Sequence, residues 1–197
     1  MRPITPRTLL GIATLLGAAA CSSSSGGDPT KPADQLTYLH VAPTAPQLCS
    51  DSAGSYAVKG SGYEIALVFG TIDNPCPTGR DFLRLKLDNE SLLKRPDGTP
   101  INDGDSVFIS VVWAGGDSVL FRLQPSGLQL DPTQPGELRI RYEETEEADD
   151  QQVLQQAAIW RQELPGDPFT QLPSTRHEDS SDIETLLNGF SRYAIAY

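Results

Sequence analysis

The sequence predicts an all-β protein, a single antiparallel β-sandwich, on three observations. Runs of four to eight residues alternate strictly between apolar and polar side chains. Gly, Pro, Asn and Asp break the chain between those runs. One run, Val107 to Trp113, is apolar on nearly both faces, as a strand in the middle of a sheet should be.

The first twenty residues are set apart from this pattern. Arg2 and Arg7 precede an apolar stretch from Leu9 to Leu16, and the small residues Gly17-Ala18-Ala19-Ala20 follow. This is the layout of an export signal, and the stretch is too short to span a bilayer. Cys21 stands directly after it, ahead of four serines, and the junction resembles the lipobox of bacterial lipoproteins. That resemblance implies cleavage before Cys21 and lipidation of its thiol and amino group. The competing expectation is ordinary cleavage at the A-x-A site Ala18-Ala19-Ala20, which leaves a soluble protein with a free thiol. With lipid on Cys21, the expected address is the bacterial envelope, and a serine after the cysteine leans it towards the outer membrane.

Ser22 to Gln35 is Ser, Gly, Pro and charge without apolar periodicity, which predicts a flexible linker. Such a chain spans about 20 Å on root-mean-square average. The predicted organisation is therefore a signal peptide over residues 1–20, a lipidated cysteine and linker over residues 21–35, and one sandwich domain over residues 36–197. Two of the fifteen basic residues and none of the 26 acidic ones lie in the signal, so the remainder is more acidic than the chain's net −11. Nucleic acid and anionic lipid surfaces are poor partners for such a domain.

Within the domain, Leu36 to Ala42, Tyr63 to Phe69 and Ala158 to Arg161 are expected strands. Leu83, Leu85 and Leu87 alternate with Arg84, Lys86 and Asp88, and Leu138, Ile140 and Tyr142 with Arg139 and Arg141. These are half-buried strands. Val119, Phe121 and Leu123 form the hairpin partner of Val107 to Trp113 across Gly115-Gly116-Asp117. Tyr193, Ile195 and Tyr197 mark a final strand. Cys49 and Cys76, an even pair beside loop residues in an exported chain, are expected to form a disulfide.

Two segments dissent. Glu143 to Gln156 is an acidic run followed by good helix formers, and reads as a short helix or a loop. Ser181-Asp182-Ile183-Glu184 fits a capping box and predicts a helical turn ahead of Leu186.

"LQPSGLQLDPTQPGELRIRY", residues 123–142, resembles the heart of ZU5-like domains: a strand, a Pro-x-Gly-Leu turn, a short strand, and a Pro-flanked loop into an alternating strand. "AIWRQELPGDPFTQLPST", residues 158–175, and "NGFSRYAIAY", residues 188–197, extend the resemblance to bacterial surface lipoproteins built around such a domain. The resemblance implies a non-catalytic sandwich that binds protein partners or organises a surface. It brings no catalytic residues with it.

The chemistry-bearing residues point the same way. His40 lies in a run of mixed polarity and His177 among polar loop formers, and no G-x-S-x-G elbow presents a serine. No H-E-x-x-H or paired C-x-x-C motif suggests zinc, and no cofactor is predicted. Asp97, Asp103 and Asp105, around the turn Asn102 to Asp105, are weak calcium candidates without EF-hand spacing. Trp113 and Trp160 are weak candidates for a sugar-stacking face, the alternative function being calcium-assisted carbohydrate binding. The leading expectation is a lipid-anchored, non-catalytic module for an envelope protein partner.

Overall fold

The computed structural model describes residues 29–70, 73, 75, 76 and 79–197. Cys21 and the signal lie outside the described residues. The strands, in chain order, are β1 (Thr30–Lys31), β2 (Ser52–Val58), β3 (Tyr63–Phe69), β4 (Arg80–Leu87) and β5 (Leu92–Lys94). They continue with β6 (Ser106–Trp113), β7 (Leu120–Gln124), β8 (Gln129–Leu130), β9 (Gly136–Arg141) and β10 (Ala158–Gln162). β11 (Phe169–Gln171), β12 (Ser174–His177), β13 (Asp182–Leu187) and β14 (Arg192–Ala196) complete them. One sheet runs β1-β11-β10-β14-β7-β6-β2, a second β12-β13-β9-β4-β3, and β5 pairs with β8. All of these pairings are antiparallel, so the fold is the expected sandwich-like all-β architecture.

Period-two alternation builds the core. Leu83, Leu85, Leu138 and Ile140 from one sheet meet Ile109, Val111, Phe121 and Leu123 from the other, all completely buried. A shift in the β3–β4 register at Leu67/Val68 leaves Phe82 as an extra residue on β4. Both Phe82 and Leu83 therefore turn inward, as a bulge permits. Phe82 stands edge-on to Phe121 at 5.0 Å and to Trp113 at 5.8 Å. The β6–β7 hairpin has the expected register, Trp113 opposite Phe121. A Cβ at Gly115 would fall 2.0 Å from the Ser118 carbonyl oxygen, so the hairpin turn excludes any side chain there.

The expected linker is wrong over its last residues. Thr30–Lys31 pairs with Phe169–Thr170, and Ala33–Gln35 forms a 3-10 turn. Leu36 and Tyr38 then cover the outer face of the seven-stranded sheet, over a second apolar cluster of Leu120, Trp160, Phe169 and Ala194. These apolar contacts fix a segment whose composition reads as disordered. Leu39 donates its N–H to Ile195 (3.0 Å) and accepts from Val119 (2.8 Å), wedging the chain between the ends of β14 and β7.

The capping box at Ser181 to Glu184 is also overturned. Ser181, at φ 53°, is the turn between β12 and β13, and Ile183, Thr185 and Leu187 are buried while Leu186 faces solvent. Pairing with β9 and β12 on both sides outweighs the local capping signal. In the acidic segment, only Gln151–Leu154 is helical, capped by the Asp150 carboxylate on the N–H groups of Gln152 and Val153.

Candidate functional site

The expectation that both faces of β6 are covered fails at Phe108, and the failure marks a surface. Val107, Ile109 and Val111 enter the core, whereas Phe108 is 51% exposed on the opposite face. Opposite it on β2 stands Tyr56, 67% exposed, with ring centroids 5.2 Å apart in an edge-to-face pair. The Phe108 ring reaches over Gly54: a Cβ there would lie 2.7 Å from its Cζ atom. Val58 continues the apolar row along β2.

β2 is also the last strand of its sheet. Trp113 donates to the Asp51 carbonyl (2.7 Å) and Lys59 to the Asp105 carbonyl (3.0 Å), which fixes the ladder's phase. Odd-numbered residues of β2 bond to β6, and the backbone groups of Gly54 and Tyr56 point away from it. The strand carries Ser-Ala-Gly-Ser-Tyr-Ala-Val, seven residues without charge or proline, bounded by Asp51 and Lys59. Edge strands ordinarily carry charges, proline or bulges that block further pairing. The other edges follow that rule: β1 is two residues with Lys31, β3 carries Glu64, and β12 carries Arg176 and His177.

β2 and β3 sit beside one another at this flank. The Ser55 hydroxyl donates to the Tyr63 hydroxyl (3.0 Å), and burial pushes the Tyr63 phenol above its ordinary pKa against that bond. Next to it opens a cleft of about 350 Å³, lined by Cys49, Ala53, Ala66, Val68 and Cys76. Cys49 and Cys76 form the expected disulfide, across a sequence separation of 27. Cys49 donates its N–H to Val68, so the bridge ties the following loop to the end of β3.

The residues singled out by type are spread elsewhere. His40 Nδ1 lies 3.2 Å from Glu147 Oε1, and the His40 N–H donates to Oε2 of the same carboxylate. His177 Nε2 stands 3.3 Å from Glu184 Oε2, an oxygen that also takes the Arg139 guanidinium at 2.7 Å. Asp97 accepts from the Thr99 N–H and Asp105 from the Asn102 N–H, each bracing its own turn. Those bonds hold the exposed Asp97 carboxyl below its usual range. Among the described residues, no group of three or more His, Cys, Asp or Glu side chains could hold a metal ion, Asp97, Asp103 and Asp105 included.

Trp160 presents no stacking face. It is 2% exposed under the N-terminal strap, its indole N–H donates to Ala196 and Lys31 lies over its ring at 5.4 Å. Trp113 is part-buried, its indole N–H donating to Ser118. The exposed aromatic pair is Tyr56 with Phe108, which the reading of tryptophans missed.

A polar well of about 170 Å³ on the outer face of the second sheet is lined by Arg84, Arg139, Arg141, Asp81 and Asp182. Its cations are matched: Arg84 to Asp81, Arg139 to Glu137 and Glu184, Arg141 to Glu143. This is an ion-pair lattice with no surplus cation to attract an anion.

Among the described residues, no helix is long and apolar enough to cross a membrane. No family model, no curated protein and no solved structure matches the chain.

Proposed function

We propose that this chain is a lipid-anchored, extracytoplasmic, non-catalytic module that assembles with protein at the bacterial envelope through the β2 edge. The observation that carries the reading is that edge: an uncharged seven-residue strand whose central Gly54 and Tyr56 backbone groups have no bond among the described residues, with the exposed Tyr56–Phe108 pair beside them. Strand addition to an open edge draws affinity from backbone bonds and specificity from flanking side chains. The anchor is Cys21, read from its position after the signal and before the serines. More than one acyl chain makes such attachment stable, where a single chain is marginal.

The arrangement of the sheet suits both tasks. The chain enters the domain at β1, one edge of the seven-stranded sheet, and β2 is the other edge. At about 4.8 Å between strands, the two lie roughly 29 Å apart. The first described strand and the docking edge therefore lie at opposite flanks of the sheet.

The test combines two readouts on the full chain expressed in an exporting bacterium. Mass spectrometry of the processed N-terminus is expected to find diacylglyceryl and acyl groups on Cys21. A photo-crosslinking residue at position 56 is expected to give a protein adduct, and the same residue at exposed position 164, on another surface, none. An unmodified Cys21 removes the anchor, and an absent adduct at position 56 removes the docking edge.

A further inference from the structure

The β2 edge is self-complementary, and we infer that its partner is a second copy of this chain, joined by antiparallel pairing of β2 with β2 about a twofold axis through Ser55. The inference rests on the reading of β2 as the docking edge and names its occupant.

Three features of the strand select this register. Gly54 and Tyr56, whose N–H and C=O groups point outward, fall opposite Tyr56 and Gly54 of the second copy, so each pair exchanges both backbone bonds. On the outer face, each Tyr56 ring then lies across from a glycine, where no side chain opposes it. It meets the Phe108 ring that already overhangs that glycine.

The third feature is charge. With the axis at Ser55, Asp51 falls directly opposite Lys59 of the second copy, and Lys59 opposite Asp51. Neither side chain takes part in an ion pair among the described residues. Shifting the register by two residues in either direction breaks both matches and removes tyrosine from glycine. Closed twofold pairing also consumes the edge, so assembly stops at two copies. The result is one continuous sheet with the two β1 edges at its far flanks, roughly 60 Å apart at ordinary strand spacing.

Charge reversal on the purified full chain tests this, read by sedimentation equilibrium in mild detergent. Both residues lie at the ends of β2, outside the core, so the variants keep the fold. Wild type is expected as a dimer. Asp51→Lys and Lys59→Asp each set like charges together at both ends of the ladder and raise the dissociation constant roughly tenfold. The double variant Asp51→Lys/Lys59→Asp restores it. Ser55→Cys places two thiols on the axis, in a non-hydrogen-bonded pair about 4.5 Å apart between Cα atoms, within disulfide reach. Oxidation is expected to link Ser55→Cys chains and not Ser52→Cys chains.

A monomeric wild type, or a dimer indifferent to the charge reversals, overturns the inference. A monomer that still gives an adduct from position 56 to a different protein overturns the second copy and leaves the docking edge standing. A monomer without any adduct removes both.

Discussion

Phe108 leans across from Tyr56 to fill the space above Gly54, so two exposed aromatic rings and a glycine form one surface unit on neighbouring strands. The glycine makes room and the rings supply apolar area that nothing among the described residues covers. On the proposed reading of the β2 edge, the unit serves association rather than folding.

The first prediction separates those roles. Tyr56→Ser removes one ring of a solvent-exposed pair, and chemical denaturation should show a stability change under about 1 kcal/mol. The same variant should lose the crosslinked adduct, or the dimer, in proportion to wild type. A large loss of stability would mean that Tyr56 serves the fold.

Replacing Cys49 and Cys76 together by serine should act in the opposite sense. The bridge spans a separation of 27 residues, and chain-entropy arguments give about 3 kcal/mol for a loop of that size. The loss should show as a lower denaturation midpoint with an unchanged far-ultraviolet spectrum under native conditions.

Tyr193 lies wholly in the core and donates its hydroxyl to the Gly189 carbonyl. Burial drives its phenol above the ordinary range, so it remains a donor through neutral and mildly alkaline pH. Tyr193→Phe leaves the Gly189 carbonyl without that donor and should cost about 1–3 kcal/mol by denaturant titration.

The acid limb of stability has a named contributor. Glu143 accepts from Arg80 at 2.5 Å, and that bond holds its carboxyl below the ordinary 4.5. A depressed carboxylate stabilises fully above the unfolded value and loses the contribution as pH falls through the folded one. With side chains 47% and 40% exposed, the pair contributes under about 1 kcal/mol. Wild type and Glu143→Gln should differ by a constant amount above pH 4.5 and converge below it.

Period-two alternation made β3, β4 and β9 legible, because each buries one face along its length, and β14 alternates large and small residues although both its faces are buried. β2 was not legible. Its inward positions are Ala53, Ser55 and Ala57, too small to register as an apolar face, and its large residues point outward. Its lack of charge was no signal either, because longer charge-free stretches such as Ser106 to Gly116 and Gln151 to Trp160 occur elsewhere in the chain. Phe108 misled in the complementary way, since an exposed aromatic and a buried one look alike in sequence. Thr30–Lys31 and Trp160 depended on each other: the strap is ordered by the face it covers, and the tryptophan is buried by the strap. Local composition carries neither fact.

The proposed assembly requires the β2 edge to be open in the isolated domain and closed in the pair. Residue-resolved amide hydrogen exchange measures this directly on Gly54 and Tyr56, whose N–H groups point away from β6. In the dilute chain, both should exchange as unbonded amides while Ile109 and Val111 in β6 are protected. At concentrations or in membranes where the assembly forms, both should become protected by roughly a hundredfold or more, as paired strand amides are. Protection of Gly54 and Tyr56 in the dilute chain, or their free exchange in the assembly, would contradict the account.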